Sequence, residues 1–218
     1  MNIRIKITEK VADILHSTLE RYPALAGLEQ QIAAAFTIIV EAYKGGGKLL
    51  CCGNGGSAAD CSHIVGELMK GFCIKRQINK DLKKELESAP YGQMLSQKLE
   101  GALGAISLGE CLSLSSATAN DIGAEFGFAQ ALLGLGRKGD VLLALSTSGN
   151  AENCILAVTL ARALSIKTIA LTGQDGGNLG KIADLAIKVP SNTTYQVQEL
   201  HLPIYHTLCA MLEQYFFG

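Results

Sequence analysis

Apolar positions first recur at helical spacing over residues 6–21. They do so again over 27–44, where LEQQIAAAFTIIVEAYKGG ends in glycines suited to a helix C-cap. From residue 48 the pattern changes to short, continuously apolar runs of β character. These fall at 48–53 (KLLCCG), 102–108 (ALGAISL), 141–146 (VLLALS), 167–172 (KTIALT) and 184–189 (DLAIKV). Helical segments are expected between them at about 57–70, 110–119, 124–135, 150–164 and 177–182, with a last helix over about 195–216. A strand covered on both faces reads as an unbroken apolar run, so strands of this kind alternating with helices predict an α/β fold. Its core is a single doubly wound, five-stranded parallel sheet flanked by helices. Residues 1–218 read as one domain, with an N-terminal helical part at 1–46 and a charged insertion at about 71–100. The insertion carries Lys83 and Glu87 at helical spacing and is expected as a solvated surface helix. Because it follows directly on the helix of His63 and Glu67, its functional alternative is a lid or an oligomer contact.

Composition narrows the picture. Apolar residues make up 48% of the chain, ample for a core, and charged residues only 18%, which fits a surface partly covered by other copies. The net charge of −1, with no run of lysines or arginines, argues against a nucleic-acid partner. The opening MNIRIKITEKVADILHS has no apolar core or cleavage signal, and no apolar run approaches the roughly 18 residues of a membrane span. A cytoplasmic protein with no membrane partner is expected. Seven cysteines form no C-x-x-C pair and read as reduced core residues.

Three of the expected strands end in small-polar turns: GNGGS at 53–57, STSGN at 146–150 and TGQDGG at 172–177. Ligands of open parallel sheets bind beyond the carboxyl ends of the strands, and the free N–H groups of a following helix favour an anion. Glycine lets the backbone approach that anion, and Ser and Thr hydroxyls donate to its oxygens. Neither nucleotide-binding glycine pattern is present, so a phosphorylated metabolite without a nucleotide is the expected ligand. Behind the first turn, His63 and Glu67 stand at i and i+4, on one helical face. The C-terminal segment YQVQELHLPIYH adds Gln198, Glu199, His201 and His206. One of its two histidines is expected to pack against the sheet, and Pro203 predicts an early helical turn or a kink.

The order GNGGS, H-x-x-x-E, Asn120–Asp121, GDVLLALSTSGN, LTGQDGG and Q-E-L-H-x-x-x-x-H resembles the sugar isomerase (SIS) fold. Within it, the sequence is most similar to the phosphoheptose (sedoheptulose 7-phosphate) isomerases, over residues 27 to 215. The resemblance implies a flavodoxin-like sheet order and interconversion of sedoheptulose 7-phosphate and D-glycero-D-manno-heptose 7-phosphate through an enediol. It implies that Asn54, Gly55, Gly56, Glu67, Asn120, Asp121 and Gln198 line the substrate, and that Ser146, Thr147 and Ser148 hold its phosphate. Glu67 and His206 would be the catalytic pair, and His63, Glu67, Gln198 and His206 the ligands of a zinc ion, with no nucleotide cofactor. It further implies a homotetramer with active sites at subunit interfaces. Two departures stand out: Ala151 replaces a serine common in the phosphate loop, and the chain between Glu67 and Asn120 is about 25 residues longer than usual. The alternatives are an isomerase of another ketose phosphate and a non-catalytic, phosphosugar-binding regulator. The presence of both Glu67 and His206 favours an enzyme.

Overall fold

The computed structural model describes residues 8–218; the expected helix start at residue 6 lies outside the described residues. Helix α1 (Glu9–Arg21) leads through a short 3₁₀ turn at Pro23–Leu28 into α2 (Glu29–Lys44). Five strands follow: β1 (Leu49–Gly53), β2 (Ala105–Ser107), β3 (Val141–Ser146), β4 (Lys167–Thr172) and β5 (Leu185–Lys188). All pair in parallel, in the order β2-β1-β3-β4-β5. Helix α3 (Gly56–Met69) follows β1, and the insertion forms α4 (Lys80–Glu87) and α5 (Gly92–Lys98). Helices α6 (Leu112–Asp121) and α7 (Gly127–Leu135) precede β3. Then come α8 (Glu152–Ala163), the single turn α9 (Leu179–Ile182) and α10 (Thr194–Phe217).

The strands alternate between two cores. Leu49 and Cys51 of β1, with Val141, Leu143 and Leu145 of β3, face the helices α1, α2, α3 and α10. Leu50 and Cys52, with Leu142 and Ala144, face α7 and α8. With both faces covered, every second residue finds a core on either side, which is why these runs are apolar throughout. Each fully buried leucine contributes on the order of 1.5–3 kcal/mol.

Three expectations need correction. β2 is shorter than 102–108, because as an edge strand it has only β1 to pair with, starting from Leu49 against Ala105. The insertion holds two short exposed helices, separated by a turn at Pro90–Tyr91, rather than one. Pro203 lies well inside α10 rather than in an early turn, and its missing N–H costs that helix one backbone hydrogen bond. By length and mean hydropathy, Pro23–Lys44 would pass for a membrane span. Instead, Ile32, Ala35, Phe36, Ile39 and Val40 of that stretch are buried in the core. All seven cysteines are free; Cys73 and Cys111 are exposed and the rest buried.

Candidate active site

The chain changes direction across the sheet between β1 and β3, since β2 lies on one side of β1 and β4 and β5 beyond β3. That crevice is where ligands of such sheets bind. Beyond the carboxyl ends of β1 and β3 lies a cavity of about 320 Å³. Asn54, Gly55 and Gly56 form one wall, Ser146, Thr147 and Ser148 another, and Gln198 of α10 closes it. Two glycines bring neighbouring segments close here. A Cβ on Gly56 would collide with the Gln198 side chain, and Gly149, with φ +67, lies against the backbone of Gly176. The last contact locks the second turn onto the third, as do Gly173 N–H donating to the Thr147 carbonyl at 2.9 Å and Leu179 N–H donating to the Gly149 carbonyl at 2.9 Å. Asn54 and Asn153 exchange amide hydrogen bonds of 2.9 Å, fastening the first turn to α8. Ala151 lines the cavity and is the N-cap of α8, with no side-chain cap. It supplies neither a hydroxyl for an anion nor a helix cap.

Helices α3 and α10 lie side by side and run in the same direction. Gln198 meets Gly56 at their start, Tyr205 meets His63 midway, and Glu213 meets the segment just beyond α3. At the midpoint His63 Nε2 lies 3.0 Å from Glu67 Oε1, and the His206 ring stands edge-on to His63 at 4.9 Å. One ligating atom from each of His63, Glu67 and His206 falls within 4.8 Å of the other two. His206 Nε2 is buried with no hydrogen-bond partner among the described residues. Two imidazoles and a carboxylate converging on one point, with the His206 Nε2 unpartnered, fit a zinc ion with one position left open. Burial, then the neighbouring His63, lowers the His206 pKa against the opposing pull of Glu67, so its imidazole is neutral near pH 7. His201 is the histidine that packs away: fully buried beside Thr172, it is pushed down to about 4 by desolvation.

The remaining expected residues lie apart. Gln198 and His206 are eight residues apart on one helix, about 12 Å of axial rise, so Gln198 sits at the cradle rather than beside His206. Asn120 and Asp121 are exposed at the end of α6, where Asn120 Nδ2 donates to Asp121 Oδ1 at 2.7 Å, and they do not line the cradle.

Two supporting residues escape the sequence reading. Arg76 is buried; it donates through Nε to Glu213 Oε1 at 2.7 Å and through its terminal nitrogens to the carbonyls of Leu68 at 2.5 Å and Glu67 at 2.7 Å. It thereby caps the end of α3 that carries Glu67. Glu213 also accepts from the N–H groups of Phe72, Cys73 and Ile74. Burial alone would raise its carboxyl, but the Phe72 and Cys73 N–H groups and the Arg76 guanidinium hold it below the usual range. A lone glutamate inside the apolar run MLEQYFF was the available signal.

The SIS domain family matches residues 10–105 and 102–173. The phosphoheptose isomerase of Akkermansia muciniphila is 34% identical over 97% of this chain and 100% of its own length. That of a Nitratiruptor species is 40% identical over 87% of this chain and 88% of its own. Among solved structures, the phosphoheptose isomerase of Neisseria gonorrhoeae superposes with a TM-score of 0.72 at 30% identity, covering 96% of this chain and 100% of that one. The Francisella tularensis enzyme gives 0.73 at 31%, covering 94% and 97%.

Proposed function

The chain belongs to the SIS-domain phosphoheptose isomerases, and from that premise we propose that it interconverts sedoheptulose 7-phosphate and D-glycero-D-manno-heptose 7-phosphate through an enediol. The observation that carries this is the convergence of His63, Glu67 and His206 on α3 and α10, the two helices whose first turns border the hydroxyl-lined cradle.

The reaction moves one proton between C1 and C2 and another between the two oxygens. Glu67 takes the carbon proton, since a carboxylate oxygen can accept it at one carbon and return it at the next. His206, neutral and facing the same space, passes the oxygen proton. Ser146, Thr147 and Ser148, with the N–H groups at the start of α8, hold the phosphate; Asn54, Gly55, Gly56 and Gln198 line the sugar's path. Zinc held by His63, Glu67 and His206 would polarise the carbonyl and stabilise the developing negative charge. Gln198 of the same chain joins that set only by reaching along the helix, so we assign it to substrate.

The distance from cradle to cluster along α10 supports a site assembled between copies of the chain, with Asn120 and Asp121 contributed across the interface of a homotetramer. No nucleotide takes part. Seven free cysteines suit a reducing, cytoplasmic setting.

The test is turnover and binding of sedoheptulose 7-phosphate by Ser146→Ala/Ser148→Ala. Each lost hydrogen bond to a charged group is worth about 1.5–3 kcal/mol, so affinity should fall at least tenfold with the fold unchanged. Unaltered affinity would place the phosphate elsewhere.

A further inference from the structure

Asn54 lines the cradle but has little to hold it locally. It stands between Gly53 and Gly55, with Gly56 next, and Gly55 has a positive φ of 55°. Flanking glycines leave the backbone permissive and offer no side chain to pack against. What holds Asn54 comes from 99 positions away: its Nδ2 donates to Asn153 Oδ1 at 2.9 Å, and Asn153 Nδ2 donates to Asn54 Oδ1 at 2.9 Å. Asn153 is itself anchored. Ala151, the N-cap of α8, has no side-chain oxygen to accept the N–H of Cys154, three residues on. Asn153 Oδ1 accepts it instead, at 3.0 Å. An amide nitrogen could not accept from that N–H, so this third bond also fixes which way round both amides lie.

A primary amide has two hydrogens and two carbonyl lone pairs. The pairing takes one of each from Asn54 and leaves one of each. An edge with one donor and one acceptor matches a sugar hydroxyl, which both gives and takes, whereas a phosphate dianion only accepts. We propose that Asn153 is a positioning residue for the sugar part of the substrate. It sets the Asn54 amide so that the free donor and acceptor meet hydroxyls of the carbon chain, while Ser146, Thr147 and Ser148 take the phosphate. Asn54 lines the cavity and Asn153 stands behind it, so the influence of Asn153 passes through Asn54. The pairing stands on the two reciprocal hydrogen bonds; its role toward the sugar rests on the phosphosugar reading above.

The test compares two ligands on the full chain by titration calorimetry: sedoheptulose 7-phosphate and inorganic phosphate. The ratio of their affinities reports on the sugar, because any effect on the phosphate itself enters both. Wild type should favour the sugar phosphate. Asn54→Ala should lower the ratio about 2–10-fold, the worth of one neutral hydrogen bond. Asn153→Ala should lower it by a similar or smaller factor, and Asn54→Ala/Asn153→Ala no further than Asn54→Ala alone. Ser146→Ala/Ser148→Ala should weaken both ligands and leave the ratio unchanged.

Asn153→Asp separates positioning from folding. Its carboxylate can still accept from Asn54 Nδ2 and from the Cys154 N–H, and a negative charge suits the start of a helix, but it has no hydrogen for the Asn54 oxygen. In urea unfolding it should be no less stable than Asn153→Ala, and its ratio should fall as far. An unchanged ratio in Asn54→Ala or in Asn153→Asp would overturn the proposal. So would a double variant whose loss is the product of the two single losses, since Asn153 would then act on its own. Each of these leaves the phosphosugar reading standing, because wild type still favours the sugar phosphate. A wild type that binds inorganic phosphate as tightly as sedoheptulose 7-phosphate would remove that reading, and the sugar role of Asn153 with it.

Discussion

The imidazole of His201 is held down to about 4 by burial, against an unfolded value of about 6.5. Between those pH values the unfolded chain binds the extra proton, so stability rises with pH there. The contribution is complete above about pH 6.5 and is lost as pH falls toward 4. His201→Leu should remove this part of the pH dependence; the measurement is the urea midpoint of both proteins from pH 7 to 4. Their difference should shrink or reverse toward acid, and parallel curves would show that His201 is not buried neutral. From the sequence, His63 and Glu67 could be found because their spacing and the turn before them are local, whereas His206 was singled out from His201 only by the family resemblance. Asn153 could not, because its contact with Asn54 joins residues 99 positions apart and exists only once β1 and β3 pair.

Helix α3 holds Glu67 in its last turn, and its C-terminal end is fixed by Arg76 and Glu213. Removing one member of a buried pair leaves the other charge unpaired, at a cost of about 3–5 kcal/mol. Arg76→Met should lower stability by that amount in urea unfolding and reduce turnover at saturating substrate, with little change in phosphate affinity because the cradle lies at the other end of the helix. Arg76→Met with Glu213→Leu should restore neither stability nor turnover in full, since the α3 carbonyls stay uncapped and the Phe72, Cys73 and Ile74 N–H groups lose their acceptor. Full recovery of turnover would show that the cap does not position Glu67. At this scale the strands were legible because burial on both faces leaves an unbroken apolar signature. The edge strand and the insertion were less so. β2 is limited by its one neighbour, and the 71–100 segment is rooted by Arg76 and by the Glu213 carboxylate that accepts from Phe72, Cys73 and Ile74, contacts that no periodicity reveals.

Across the whole molecule, exposed Leu112, Ile122 and Leu133 leave apolar surface on α6 and α7 beside Asn120 and Asp121. Together with the separation of cradle and cluster, this supports shared sites in a homotetramer. Light scattering should report four chains at micromolar concentration. Refolding a mixture of Glu67→Gln and Ser146→Ala/Ser148→Ala chains should restore activity that neither variant has alone, because some sites would combine an intact cradle with an intact cluster. No restoration would mean that each chain builds its own site. The placement of helices on both faces of the sheet was legible from the alternation of strand and helix patterns.

If Glu67 is the base, it abstracts a carbon-bound proton from a phosphosugar held by the cradle. Solvent-deuterium incorporation at the carbon next to the carbonyl of sedoheptulose 7-phosphate reports that step directly. Wild type should exchange. Glu67→Gln, which keeps the shape and leaves the cradle intact, should still bind the sugar while exchange falls by at least ~10²-fold, the low end for a positioned base. A Glu67→Gln protein that binds the sugar and exchanges at the wild-type rate would remove this carboxylate from the chemistry.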